Sequence, residues 1–266
     1  MSVSLAFDKA RAEQRAALVG WLPAGFPTVE QGIKACQAMV RAGVDIVEVG
    51  FSYSDPVMDG PVIQRAGDAA LAAGLRTADV FRTVEATAAE GVPTLVMTYW
   101  NPVEQYGVSA FARDLAAAGG AGLITPDLIP DEAGPWLAAS DEHGLDRVFL
   151  VAPSSSDQRL EMTAKQCRGF VYATSVMGVT GAREQTSSLA PDLVSRVRKV
   201  TSLPVGVGLG VRDGAQAAQV GEYADAVIVG SALIRQLLDA DDFDSGLAAL
   251  SALTEELAEG VRRGKA

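Results

Sequence analysis

The sequence predicts an α/β protein, a single-domain (β/α)8 barrel with one extra helix at each end. Short apolar, β-branched runs recur eight times along the 266 residues, each followed by a Gly/Pro/Asp-rich bend and then a helical pattern. Strict alternation of strand and helix implies parallel pairing, because a parallel crossover needs room for a helix. Eight such units in roughly 250 residues is the arithmetic of a TIM barrel. A doubly wound open sheet is the structural alternative. No Gly/Ser- or Pro-rich linker divides residues 1–266, so one domain is expected.

The strands are expected at Ala17–Leu22, Ile46–Gly50, Thr94–Tyr99, Gly122–Thr125, Arg147–Ala152, Gly169–Thr174, Pro204–Gly208 and Asp225–Gly230. Between them apolar residues recur at three- and four-residue steps, as at Ile33, Cys36, Met39 and Val40. Helices are expected to stop at Gly43, Gly91, Gly119 and Gly144, where a residue of positive φ ends a helix cheaply. Ser4–Arg15 is the extra N-terminal helix, capped by Ser4 and able to cover the bottom of the barrel. At the other end Phe243–Val261 spaces Phe243, Leu247, Leu250, Leu253 and Leu257 as one packing face. About 45 residues separate the second and third strands, and long loops in compact domains are usually functional. Loops after strands form the catalytic face of a barrel, so this one is the first place to look for a site.

Composition narrows the function. A formal charge of -11 argues against general nucleic-acid binding, which needs clustered Lys and Arg. An anionic substrate must then be held locally against the overall field. Cys36 and Cys167 are too few for a disulfide framework and are expected as buried thiols. The chain has no apolar run long enough to cross a membrane and no signal-like start, so a cytoplasmic protein is expected.

Chemistry concentrates in the second unit. In Ile46-Val47-Glu48-Val49-Gly50 side chains alternate, so the valines suit packing on helices and Glu48 points into the barrel mouth. An ionisable residue in so apolar a strand needs a partner or a task, and desolvation there raises its pKa toward neutrality. That suits a group that both gives and takes a proton; a carboxylate paired with a structural cation is the plainer alternative. The next loop, FSYSDPVMDGP, carries Asp55 and Asp59. Asp before Pro or Gly usually closes a turn, which is the role expected of Asp55; for Asp59 the spacing leaves two roles open, a turn residue or a second carboxylate reaching back over the mouth.

Two glycine-rich strand ends follow one another: Gly206-Val207-Gly208-Leu209-Gly210 in unit seven and Gly230-Ser231 in unit eight. Glycines let backbone approach a ligand, helix N-termini attract anions, and barrel enzymes often hold phosphate between these units. Close strand packing also favours glycine there. Trp21, Tyr99, Ile124, Tyr172 and Leu209 fall at or near strand ends and are candidates to line an apolar slot, or simply to fill the barrel. The stretch 178–188 has the composition of a lid, within which Thr180 is placed to bond Asp59 on closure. His143, in a helical stretch far from the strand tops, is expected at a helix end.

VEVGFSYSDPVMDGPVIQ resembles the signature of the tryptophan synthase α subunit family. PAGFP, MTYWNP, PDLIPDEA and GVTGAR match further family motifs in the same order along nearly the whole chain. The resemblance implies cleavage of indole-3-glycerol phosphate to indole and glyceraldehyde 3-phosphate. It makes Glu48 the general acid/base and Asp59 the acceptor of the indole N–H. It places Tyr172 near the catalytic Glu and assigns the phosphate to Gly181, Gly210, Gly230 and Ser231. No metal or organic cofactor is implied in this chain. The implied partner is a β subunit carrying pyridoxal phosphate (PLP), in an α2β2 heterotetramer, docking on loops near Ser52–Met58 and Asn101–Gln105. The sequence departs from the family at Ser52, where Pro is usual, at Phe170 for Tyr, and at Met58 and Met177 for Ala and Ser. Two rivals stay open: a stand-alone indole-3-glycerol phosphate lyase, and a decayed barrel serving only as an interaction subunit.

Overall fold

The computed structural model describes residues 1–174 and 189–264. Eight parallel strands close into a barrel in sequence order: β1 (Ala17–Pro23), β2 (Ile46–Gly50), β3 (Thr94–Met97), β4 (Gly122–Thr125), β5 (Asp146–Val151), β6 (Val171–Thr174), β7 (Val205–Gly208) and β8 (Ala226–Val229). β8 pairs with β1, with Val19 beside Ile228, so the open-sheet alternative does not apply. The helices are α1 (Ser4–Ala12), α2 (Val29–Arg41), α3 (Pro61–Ala72), α4 (Thr77–Ala88), α5 (Trp100–Tyr106) and α6 (Val108–Ala117). They continue as α7 (Gly134–Glu142), α8 (Asp157–Gln166), α9 (Ala190–Arg198), α10 (Gly214–Gly221), α11 (Ser231–Leu238) and α12 (Phe243–Arg263). None of the described helices is long and apolar enough to cross a membrane.

Strand alternation sorts the core into two parts. Val47, Val49, Val96, Val207 and Val227 face outward and pack with the helices. Val19, Ile46, Leu95, Ile124, Phe170 and Ile228 face inward and form a separate cluster with Val3, Phe7 and Ala10. α1 therefore plugs the bottom, its Phe7 ring 5.6 Å from that of Phe170. Phe170 has apolar neighbours on this side and no polar partner is needed there. Gly43, Gly91, Gly119 and Gly144 all adopt positive φ where helices end. His143 is the C-cap of α7, and both cysteines are buried and free.

Two expectations need correction. α1 is not capped by Ser4, which is its first helical residue. Ser2 supplies the local acceptor instead, its Oγ taking the Ser4 N–H at 3.3 Å, while Ser2 Oγ and Val3 N both donate to Asp146 at 2.9 Å. The helix also stops at Ala12, because Gln14 turns to φ +54 and Arg15 swings inward to Asp45. The second correction concerns the long interval after β2. Most of it is α3 and α4; α4 packs on α2, β2 and β3 as the unit's own helix, and α3 packs on β1 and α11. The loop that remains, residues 51–60, carries Asp59.

Candidate active site

Glu48 lies mid-way along β2, beside Trp21 on one side and Leu95 on the other. It faces inward with Ile46, as the alternation predicts, and is fully buried. Neither carboxyl oxygen has a hydrogen-bond partner among the described residues. Burial alone pushes its pKa from 4.5 to about 8, so the group holds its proton at neutral pH. The Tyr172 hydroxyl is raised well above its ordinary value, first by burial and then by the Glu48 charge, which puts the two within electrostatic reach inside the mouth.

Tyr172 and Trp21 are each seated on a glycine. A Cβ at Gly208 would stand 2.7 Å from the Tyr172 hydroxyl, and one at Gly206 would stand 2.9 Å from the Phe170 ring. A Cβ at Gly50 would overlap the Trp21 indole, which reaches across to within 3.3 Å of where a Gly230 Cβ would stand. Gly206 and Gly208 thus make room for aromatics, and Gly210, at φ +70, is the exposed glycine of that run. The Val-Gly-Val-Gly alternation of β7 is the sequence signal for these seats.

Asp59 is held from the N-cap of α5, just past β3. Tyr99 donates its hydroxyl to Asp59 Oδ1 at 2.9 Å and accepts the Met58 N–H at 3.0 Å. Desolvation raises the Asp59 pKa, and the Tyr99 hydrogen bond opposes the rise. The Tyr53 ring lies 5.5 Å from Tyr99, and Asn101 donates to the Tyr53 hydroxyl at 3.0 Å. Trp100 N, at the start of α5, donates to Asp127 at 2.9 Å, tying the loops after β3 and β4 together. The polar end of Tyr99 thus anchors Asp59. Ser52 is buried against α3, its Oγ 3.8 Å from where a Gly67 Cβ would stand. Ile124 is fully buried in the inward cluster, whereas Leu209 is half-buried and packs on the strand–helix core. Thr180, Gly181, Met177 and the 178–188 stretch lie outside the described residues.

Two neighbouring helix N-termini differ in how their first turns are capped. At α10 the Gly214 N–H donates to Glu256 at 2.8 Å and the Gln216 N–H to Asp213 at 2.8 Å, so its first turn is satisfied by carboxylates. α11 begins at Ser231 with Gly230 as N-cap and has no side-chain cap. Its orphan N–H groups and positive dipole end suit an anion.

A family model described as tryptophan synthase alpha chain matches residues 7–262. The chain belongs to that family. It is 72% identical over 260 residues to the tryptophan synthase alpha chain of Salinispora arenicola, covering 98% of this chain and 97% of the relative. A structure of Mycobacterium tuberculosis tryptophan synthase superposes with a TM-score of 0.92 at 60% identity, covering 98% of each chain. The tryptophan synthase subunit alpha of Legionella pneumophila superposes at 0.86 with 32% identity, again over 98% of each. Family membership makes this chain a lyase of tryptophan biosynthesis. The family signature contains Glu48, Gly50 and Asp59, whereas the contacts of Gly208 with Tyr172 and of Glu256 with Gly214 join residues remote in the chain and no motif carries them.

Proposed function

We propose that this tryptophan synthase alpha chain cleaves indole-3-glycerol phosphate to indole and glyceraldehyde 3-phosphate by a retro-aldol route. Glu48 first delivers its proton to carbon 3 of the indole, leaving positive charge on the ring nitrogen. Asp59 accepts the indole N–H and stabilises that charge where it develops. Glu48, now a carboxylate, removes the proton of the adjacent glycerol hydroxyl. The O–H electrons become the aldehyde carbonyl, the carbon–carbon bond breaks, and its electrons restore the aromatic ring.

The observation that carries this reading is a fully buried carboxyl inside the barrel mouth with no hydrogen-bond partner among the described residues, whose pKa burial pushes up to about 8. Trp21, Tyr172, Ile124 and Leu209 would flank the ring, with Tyr99 acting through Asp59 and Thr180 closing over it. The phosphate would rest on the backbone of Gly210, Gly230 and Ser231, with Gly181. The chain itself needs no cofactor in this scheme. Released indole would pass to a β subunit carrying its own PLP, in an α2β2 assembly in the cytoplasm. Val57, 72% exposed, gives the 52–58 loop an apolar surface for such a partner.

Indole release, assayed with and without a β subunit, tests the proposal. Strong stimulation is the expected result. A high basal rate would overturn the partner reading, and no rate in either condition would overturn the reaction. Glu48→Gln keeps the shape but cannot shuttle protons, so turnover should vanish while substrate still binds; an active variant would refute the acid/base role.

A further inference from the structure

We propose that Glu256, on the C-terminal helix α12, is a positioning residue for the phosphate limb of the substrate. It does so by holding the loop between β7 and α10, and with it the Gly210 backbone, in the shape that meets the anion. The inference rests on the phosphate reading given above.

Three backbone N–H groups shape this loop. Arg212 N donates to Gln216 Oε1 at 3.0 Å, Gly214 N to Glu256 Oε1 at 2.8 Å, and Gln216 N to Asp213 Oδ1 at 2.8 Å. Two of the acceptors belong to the loop and its own helix and would move with them. Glu256 comes from α12, which follows the eighth β/α unit, so its hydrogen bond ties the loop to an independent element.

The packing of α12 makes that tie rigid. A Cβ at Gly214 would stand 2.5 Å from the Glu256 carbonyl oxygen, and one at Gly260 would overlap the Gly214 backbone. The two helices are therefore in backbone contact here. Glu256 lies one turn from Gly260 on the same helix face. α12 is in turn fixed by Leu250, Leu257 and Val261, all buried.

Electrostatics adds a selection. With Glu256 and Asp213 on its first-turn N–H groups, α10 presents carboxylate rather than open amides to an incoming phosphate. The uncapped start of α11 beside it is then the favoured end, and α10 serves to set the Gly210 amide.

The test uses the full chain and inorganic phosphate as probe, followed by backbone amide NMR. In the parent protein, phosphate should shift the Gly210, Gly230 and Ser231 amides saturably. In Glu256→Ala the phosphate Kd should rise about three- to tenfold, and the Gly210 response should be lost while those of Gly230 and Ser231 persist. The KM for indole-3-glycerol phosphate should rise by the same factor with kcat within about twofold, the pattern of lost ground-state binding. Glu256→Gln still offers an oxygen to the Gly214 N–H and should restore both. Glu256→Asp, one methylene too short, should behave like the alanine variant and serves if alanine does not fold. An unchanged Kd and Gly210 response in the alanine and aspartate variants would overturn the proposal alone. Failure of Glu256→Gln to rescue would overturn it too. If phosphate moves none of these amides in the parent, the phosphate reading itself falls and this inference with it.

Discussion

Tyr99 and Asp59, 40 residues apart in sequence, are joined by a 2.9 Å hydrogen bond in which the phenol donates to the carboxylate. The same phenol oxygen accepts the Met58 N–H, so one side chain from the N-cap of α5 fixes both the backbone and the acidic group of the loop after β2. The geometry leaves Asp59 oriented before any substrate arrives.

Tyr99→Phe should therefore cost activity without emptying the site. A hydrogen bond to a charged group is worth ~1.5–3 kcal/mol. Expressed in the transition state, that is a fall in kcat/KM of about ten- to a hundredfold. The hydrogen bond also lowers the Asp59 pKa against desolvation, so its loss should shift the acid limb of the pH–rate profile upward. Steady-state kinetics across pH on both proteins checks this; an unshifted acid limb would detach Tyr99 from Asp59.

Glu48 makes a two-part prediction about pH. Protonating the indole needs the acid form, so the rate should fall as pH rises through about 8. Stability should follow the same group. A carboxyl whose folded pKa is raised holds its proton longer than the unfolded chain does, so its stabilising share is complete below 4.5 and is lost as pH climbs to about 8. Glu48→Gln removes that loss. Its stability advantage over the parent should be small at the acid end of this window, grow by at most about 1.4 kcal/mol per pH unit, and level off beyond it. Urea melts at several pH values decide it, and a pH-independent difference would show that Glu48 does not change its proton affinity on folding.

What the sequence made legible, and what it did not, follows from range. The inward direction of Glu48 was readable because strand alternation is a local rule, and the helix stops at Gly43, Gly91, Gly119 and Gly144 because positive φ is a local property. The length of the interval between β2 and β3 does not by itself reveal its two helices, although Gly60 as N-cap, Pro61 at the first helical position and Gly74 at φ +87 mark α3. The Tyr99–Asp59 bond and the Glu256–Gly214 bond join elements 40 and 42 residues apart, and no local pattern announces either. Gly206 and Gly208 were legible as glycines but not as seats, because the aromatics they admit come from the neighbouring strand.

The Tyr172–Gly208 contact is testable as a pair. In Gly208→Ala the new methyl would stand 2.7 Å from the Tyr172 hydroxyl and 3.1 Å from its Cε1, so the ring must move or the strand must yield. Overpacking of this kind costs ~1–3 kcal/mol. Tyr172→Phe removes the oxygen that is struck. The double variant should then be more stable than the sum of the singles predicts, by about 0.5–2 kcal/mol in a double-mutant cycle. Strict additivity in denaturant melts would mean that the two residues do not meet.

At the opposite end of the barrel, Arg15 and Asp45 form a buried, two-pronged ion pair, with Nη1–Oδ2 at 2.6 Å and Nη2–Oδ1 at 2.7 Å. Asp45 also accepts the Leu18 N–H at 2.9 Å, so the pair locks the end of α1 to the starts of β1 and β2. The Asp45 hydrogen bond raises the Arg15 pKa, more than offsetting the cost of burial. Arg15→Ala would leave the Asp45 carboxylate buried without its cation, a change that costs ~3–5 kcal/mol in comparable pairs. Replacing both, as in Arg15→Met with Asp45→Leu, removes the stranded charge but also the acceptor for Leu18 N. It should therefore recover part of the loss and not all of it. Because the pair sits at the foot of the strands, away from Glu48 and Asp59, kcat measured well below the melting temperature should stay within about twofold of the parent in every variant. A large fall in kcat with an unchanged melting temperature would show instead that the foot of the barrel communicates with its mouth.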